Sequence, residues 1–383
     1  MDDLCPPVIT DGSTITCFSQ VRAENAAESE AMRDGTLKSE TLVGLKLQQY
    51  VPVREIAVDI MDTRAVVKAV AFVILTVISI PSNMAICYAF LHTLLIEGKL
   101  MTADVILCHL SFANLVVTLT RGIPQTLTAF GYKNLFDDLG CKFIVLCFRT
   151  FRGLSISLTC LLSAYQAVVI SPATSKMAVL KTVISQYLVP LVVFLYKFCC
   201  VTSVYPILHA VSKVVNNTIP LYTFNLEFCI IPYPDYTAFM AAGLSNFFRD
   251  LIFILGMTIM SGYILVLLYQ HSKKVKNIRS SDRSQSGARA ETKASRAVVT
   301  LVVLYVIFFG VDNVIWLYSL GVLRVAPIFT DFRVFFYTLY SSVCPIVVII
   351  TNPKVKGKLN SVKLNKLVST AGSCMSKGLK AKR

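Results

Sequence analysis

Seven stretches of about twenty apolar residues punctuate this chain, separated by polar connectors. A run of that length is what an α-helix needs to cross roughly 30 Å of hydrocarbon. The pattern predicts spans over residues 66–90, 102–124, 141–170, 182–204, 243–270, 294–318 and 332–350. The seventh is the weakest, with Arg333 near one end and the helix breaker Pro345 inside it. The fold class that follows is an all-α membrane protein, a seven-transmembrane helix bundle over residues 66–352. An odd number of crossings puts the two termini on opposite faces, so one face can sense while the other signals.

Charge placement orients the bundle. The connector after the fifth span holds Lys273, Lys274, Lys276, Arg279, Arg283, Arg289, Lys293 and Arg296. The segment 353–383 adds eight lysines and Arg383 with no acidic residue, whereas the opposite-side connectors offer little beyond Lys133, Lys142, Lys213 and Arg324. By the positive-inside rule the C-terminus is expected in the cytoplasm and the N-terminus outside. The single N-x-[ST] site, Asn216-Asn217-Thr218, falls in the connector after span four, on the side expected to be extracellular and open to glycosylation at Asn216.

Composition narrows the class further. The chain has 383 residues, 55% of them apolar, and its mean hydropathy of +0.65 is too high for a soluble domain of this size. The formal charge of +15 does not point to nucleic acid, because the basic residues stand where topology alone would put them. Residues 1–65 carry mixed charge and read as a largely disordered extracellular tail, with a short helix expected at 23–33 and no cleaved signal peptide visible. Past Pro353, apolar residues at near-helical spacing among lysines suit a helix on an anionic lipid surface, as they suit a solvated basic tail. Cys374 in that tail is a candidate for acylation.

Most of the twelve cysteines lie inside the spans as small core residues. Cys141, which opens span three, and Cys229, in the connector between spans four and five, share the oxidising side, where a bridge is chemically permitted. Such a bridge would tie the connector over the mouth of the bundle. Cys5 and Cys17 are a second possible pair that nothing positions.

Several strings point to a family. Residues 109–131 read HLSFANLVVTLTRGIPQTLTAFG, and residues 140–172 contain R-G-x-S-I followed by C-L-L-S-x-x-Q-A-x-x-I-S-P. Together with residues 262–281 and 291–309 they resemble the type-1 vomeronasal receptors, G-protein-coupled chemoreceptors with olfactory members in fish. The likeness runs over about residues 66–355. The sequence also resembles the wider rhodopsin-like class, with Asn83 at its helix-one Asn. Asn114 stands for the usual helix-two Asp, Tyr165-Gln166-Ala167 for Asp-Arg-Tyr, and Cys344-Pro345 for Asn-Pro. The resemblance implies a pheromone or odorant receptor in the plasma membrane of chemosensory neurons, with a heterotrimeric G protein of Gi/Go type as partner and no cofactor or metal. Gln166, Lys273, Lys274, Lys276, Arg279, Lys293 and Arg296 are the residues expected to face that partner, although topology and lipid phosphates ask for the same cluster. A rhodopsin-like receptor of another family and a seven-helix transporter are the alternatives. No internal repeat or paired helix break supports the transporter.

Charges inside a span cost about 2.5–3.5 kcal/mol each on insertion scales, so each needs a reason. Arg149 and Arg152 lie three apart on span three, roughly 12 and 16 Å below Cys141 along the axis. Asp250 and Asp312 are partners at comparable depth, and Lys197 is a further candidate. Two readings stay open. These residues form a buried ion network that ties helices together, or an arginine receives a small organic ligand with an acidic or accepting head and an apolar body. Phe148 and aromatics such as Phe151, Phe247, Phe248, Phe253, Trp316 and Tyr318 are candidates to line the shaft. Arg249 is placed near the boundary, free to snorkel, and Glu227 is read as a solvated loop carboxylate in preference to a contact for a cationic ligand at the entrance. Catalysis finds no support: there is no HExxH pair, phosphate loop or GxSxG elbow, and the four histidines are scattered.

Overall fold

The computed structural model describes residues 39–132, 135–172, 177–212, 222–277, 285–321, 327–352 and 355–358, with side chains over a narrower set. The chain divides into two units, Met1–Ala65 and Val66–Arg383. In the first, the backbone is helical from Ser39 onward, where the sequence suggests a mostly disordered tail; Leu, Gln and Glu there are good helix formers. The helix expected at 23–33, the lipid-surface segment past Lys358, Cys5, Cys17, Cys374 and Asn216 lie outside the described residues.

Seven helices among the described residues are long and apolar enough to cross a membrane: Ala65–Glu97, Thr102–Ala129, Asp138–Ile170, Leu188–Leu208, Tyr236–Gln270, Ser295–Ile315 and Ile328–Thr351. Each matches one predicted span. Span four begins later than expected, because a separate helix over Met177–Gln186 precedes it and the chain breaks at Tyr187. Pro190 has no N–H to give the Gln186 carbonyl, so the helix restarts there instead of running through. Span three is the axis of the bundle: 78% of its apolar window is buried, against 22–44% for the other six. Leu154, Ile156, Leu158 and Leu162 on that helix sit at the centre of the main apolar core.

Prolines shape two other spans. In span two a π turn over Thr118–Gly122 interrupts the α-helix just before Pro124, whose missing N–H frees the Thr120 carbonyl. In span seven Pro345 leaves the Ser341 carbonyl without its helical donor. Asn83 Nδ2 and Ser79 Oγ on span one both donate to that oxygen, each at 3.1 Å. Asn83 is therefore fully buried because it repairs a backbone group that lipid would leave unsatisfied. This is also why the weakest predicted span forms a continuous helix, Pro327–Thr351.

Two short antiparallel strands follow span four, β1 (Thr223–Asn225) and β2 (Ile230–Pro232), with Phe224 opposite Ile231. The Cys141–Cys229 disulfide joins their turn to the start of span three across a Cα–Cα distance of 5.7 Å. Val211 exchanges both backbone hydrogen bonds with Ile230, at 2.9 Å each. The hairpin is thus held from two sides, and its turn residues Leu226 and Phe228 are buried against the bundle.

Candidate functional site: a cationic cavity between the spans

Below the hairpin the bundle holds an open cavity that measures about 990 Å³ with the solvent space at its mouth included. Span three contributes Phe148, Arg149 and Arg152; span five contributes Phe247, Arg249 and Asp250. Asp312 and Asn313 come from span six, Arg333 and Tyr337 from span seven, and Arg121 from the π turn of span two. Phe224, Leu226 and Tyr233 close the top. All five candidate ligand residues, Arg149, Arg152, Phe148, Asp250 and Asp312, therefore line one space. Five guanidiniums against two carboxylates leave the lining with an excess of three positive charges.

Most of that charge is fixed in a chain of ion pairs. Arg249 Nη2 and Nε reach Asp250 Oδ1 at 2.7 and 2.8 Å, and Arg249 Nη1 donates to Thr202 Oγ1 on span four at 3.1 Å. Arg152 Nη1 is 3.4 Å from Asp250 Oδ2, and Arg152 Nη2 is 2.9 Å from Asp312 Oδ2. Arg333 Nε closes the chain on Asp312 Oδ1 at 2.7 Å. Spans three to seven are tied at one level. Arg249 does not snorkel; it is buried, because Gly153 leaves room for its guanidinium to lie across span three. A Cβ at Gly153 would stand 3.0 Å from Arg249 Cζ.

Arg121, which the sequence offers only as part of a family string, is among the most buried side chains in the molecule. Its Nε donates to the Tyr337 hydroxyl at 2.6 Å and its Nη1 to the Leu226 carbonyl at 3.3 Å. Its guanidinium lies 5.0 Å from the ring centroid of Phe228 and 5.7 Å from that of Phe148. It links span two, span seven and the hairpin. The signal was present in the sequence as an arginine inside an apolar run, the same signal that singled out Arg149.

Like Arg121, Arg149 makes no ion pair among the described residues, but its buried Nε, unlike that of Arg121, has no hydrogen-bond partner. A buried donor without an acceptor costs about 1–3 kcal/mol, so an incoming acceptor at this point removes a penalty as well as adding a contact.

Glu227 is also corrected from solvated to clasped. Its carboxylate takes Lys68 Nζ and Gln125 Nε2, at 2.5 Å each, and Thr128 Oγ1 at 3.3 Å. Lys68 also meets Asp331 at 2.7 Å, which ties spans one, two and seven to the hairpin turn. Lys197 is exposed on span four, away from the cavity. Of the candidate aromatics, Phe148 and Phe247 line the cavity and Phe248 is exposed. Phe151 packs on Phe112 and Tyr196, and Phe253 on Phe198. Tyr318 lies half-exposed against Phe329, and the Trp316 side chain is outside the described residues.

At the opposite end, Gln166 is buried and accepts a hydrogen bond from Ser295 Oγ at 3.3 Å, so it couples spans three and six instead of presenting itself at the surface. Arg296 beside it is exposed. Lys273, Lys274, Lys276 and Lys293 fall on the helices continuing spans five and six, with side chains outside the described set, as is Arg279 altogether.

The bundle aligns with squid rhodopsin at a TM-score of 0.63 and 18% identity, over 80% of this chain and 87% of that one. The fold is that of the seven-transmembrane G-protein-coupled receptors. Within it, residues 66–361 match the profile of the vomeronasal organ pheromone receptor family, and the chain belongs to that family. It is 39% identical over 303 residues to "Olfactory receptor class A-like protein 1" of Danio rerio, covering 78% of this chain and 93% of that protein. It is 27% identical over 306 residues to "Vomeronasal type-1 receptor 1" of Gorilla gorilla gorilla, covering 78% and 83%.

Proposed function

We propose that this vomeronasal-family receptor binds a small organic acid in the cavity beneath the hairpin. Binding favours an arrangement of the spans that promotes nucleotide exchange on a Gi/Go-type G protein. The observation that carries the ligand class is Arg149: a cation whose buried Nε has no acceptor among the described residues, in a cavity with three surplus positive charges and aromatic walls. The carboxylate of the ligand takes the forked contact that Arg149 leaves open, and its apolar body rests on Phe148 and Phe247. In this reading the N-terminus and the hairpin face outside, with glycosylation at Asn216. The basic connector around Lys273, Lys274, Lys276, Arg279, Lys293 and Arg296 meets the G protein and the anionic lipid. The receptor then sits in the plasma membrane of chemosensory neurons.

The test is expression with a Gi/Go-coupled reporter, screened with aromatic and aliphatic acids beside their methyl esters and amides. Acids activate and their esters do not, and Arg149→Ala weakens potency about 10- to 100-fold at unchanged surface expression, the loss of one charge-assisted contact. Equal responses to acid and ester, or an unchanged Arg149→Ala receptor, would overturn the ligand class. Staining of an N-terminal epitope in unpermeabilised cells tests the orientation.

A further inference from the structure

Beneath the ion-pair chain lies a second, smaller cavity, about 410 Å³ with the open space adjoining it included, that shares Arg152, Asp312 and Tyr337 with the upper one. Its own lining includes Asn114, Ser155 and Tyr305. Asn114 is fully buried; its Oδ1 accepts from Ser155 Oγ at 2.7 Å, while its Nδ2 faces the weakly accepting Cys344 thiol and has no oxygen acceptor. The Tyr337 hydroxyl already accepts from Arg121, so its proton is left to donate. Both oxygens of Asp312 are taken, by Arg152 and Arg333. Asn114 Nδ2 and the Tyr337 hydroxyl are thus donors on the residues lining this space that have no strong acceptor.

The charge count points the same way. The chain Arg249–Asp250–Arg152–Asp312–Arg333 has three cations and two anions, a surplus of one, and this surplus is separate from the charges of Arg121 and Arg149. A metal cation entering the lower cavity would meet Arg152 and a carboxylate already doubly engaged. A neutral water would fill the donors and leave the surplus charge uncompensated in a low-dielectric core. A monovalent anion does both. We propose that the lower cavity is a binding site for a small inorganic anion, chloride in a physiological medium, held by Asn114 Nδ2 and the phenols under the surplus charge of the ion-pair chain. This goes beyond the ligand reading above and does not depend on it.

The experiment uses the full chain purified in detergent, with thermal unfolding followed as sodium chloride replaces sodium gluconate at constant ionic strength. Chloride raises the midpoint saturably, by roughly 2–4 °C at a concentration tenfold above its dissociation constant, and potassium or choline chloride does the same. Asn114→Leu abolishes the effect, and the milder Tyr305→Phe, which keeps the ring, shifts half-saturation several-fold. Arg149→Gln leaves it intact, which separates this site from the upper cavity. The proposal is overturned if gluconate matches chloride, if the effect follows the cation, if Tyr305→Phe titrates as wild type, or if Arg149→Gln removes it.

Discussion

Gly153→Ala tests whether the ion-pair layer is packed as described, because the two physical effects of the substitution have opposite signs. In a helix interior the change from Gly to Ala stabilises by about 0.5–1 kcal/mol when the new methyl meets open space. Here the methyl would meet the Arg249 guanidinium at 3.0 Å from Cζ and 3.2 Å from both Nη atoms. That is closer than ordinary van der Waals contact, so the guanidinium must give by a few tenths of an ångström. It has little freedom to do so, being buried and held by Asp250 at 2.7 Å and Thr202 at 3.1 Å. A shift of that size stretches the Thr202 hydrogen bond toward the edge of its working range and strains the Asp250 pair. Overpacking of about 1–3 kcal/mol together with the weakened bond outweighs the helical gain, for a net loss of about 1–3 kcal/mol. The assay is thermal unfolding of the purified receptor, where a drop of roughly 3–8 °C is expected. In an Arg249→Leu background the same substitution becomes neutral or stabilising, which isolates the pair as the cause. A Gly153→Ala receptor that melts higher than the parent would refute the packing of Arg249 across span three.

Three further substitutions read other parts of the layer and its supports. Asn83→Ala leaves the Ser341 carbonyl to Ser79 alone and lowers stability by about 1–2 kcal/mol; Pro345→Ala restores the helical donor and suppresses most of that loss, as unfolding midpoints of the single and double variants check. Asp312→Ala strands Arg333, leaves Arg152 to Asp250 alone and costs about 3–5 kcal/mol, read as lost surface expression that Asp312→Glu partly restores. Cys229→Ser frees the hairpin and removes about 2–4 kcal/mol; a reducing agent reproduces the loss in the parent and adds nothing to the variant.

The sequence made the membrane spans legible, since hydrocarbon thickness demands a run length that few other structures require. The disulfide was legible as a permitted pair once charge had placed both cysteines on one side. Arg152 with Asp250 and Asp312 was legible as a set, because buried charges must find opposite charges. Direction around each helix was not. Lys197 and Arg249 look alike in sequence as cations within or beside apolar runs, yet one is exposed on span four and the other is buried against Gly153. Glu227 read as a loop carboxylate because its partners Lys68, Gln125 and Thr128 come from two other spans. The π turn at Thr118–Gly122 was invisible for the same kind of reason: Pro124 announces a defect in the helix without saying how it is absorbed.

The placement of the charges bears on how a small ligand could act at a distance. Arg152 answers to two carboxylates on different spans, Asp250 on span five and Asp312 on span six, at 3.4 and 2.9 Å. The longer of these is the weaker tie, and it is the one that holds span five to span three at this level. Arg149 lies one helical turn from Arg152 on the same helix, so an anion seated on Arg149 brings negative charge toward the cation that Asp250 and Asp312 share. Under the proposed function the ligand thereby competes with Asp250 for Arg152 and shifts the balance of ties between spans. Burial makes such competition effective, because partners exchanged in a low-dielectric layer differ by more than they would in water. A tenfold preference of the ligand for one arrangement needs only about 1.4 kcal/mol, less than the worth of one charge-assisted hydrogen bond formed or broken in this layer. At the far end of spans three and six the opposing tie is the neutral Gln166–Ser295 contact at 3.3 Å. The Arg152–Asp312 ion pair near the proposed ligand site and the neutral Gln166–Ser295 hydrogen bond at the other end leave spans three and six tied more strongly at the first end than at the second.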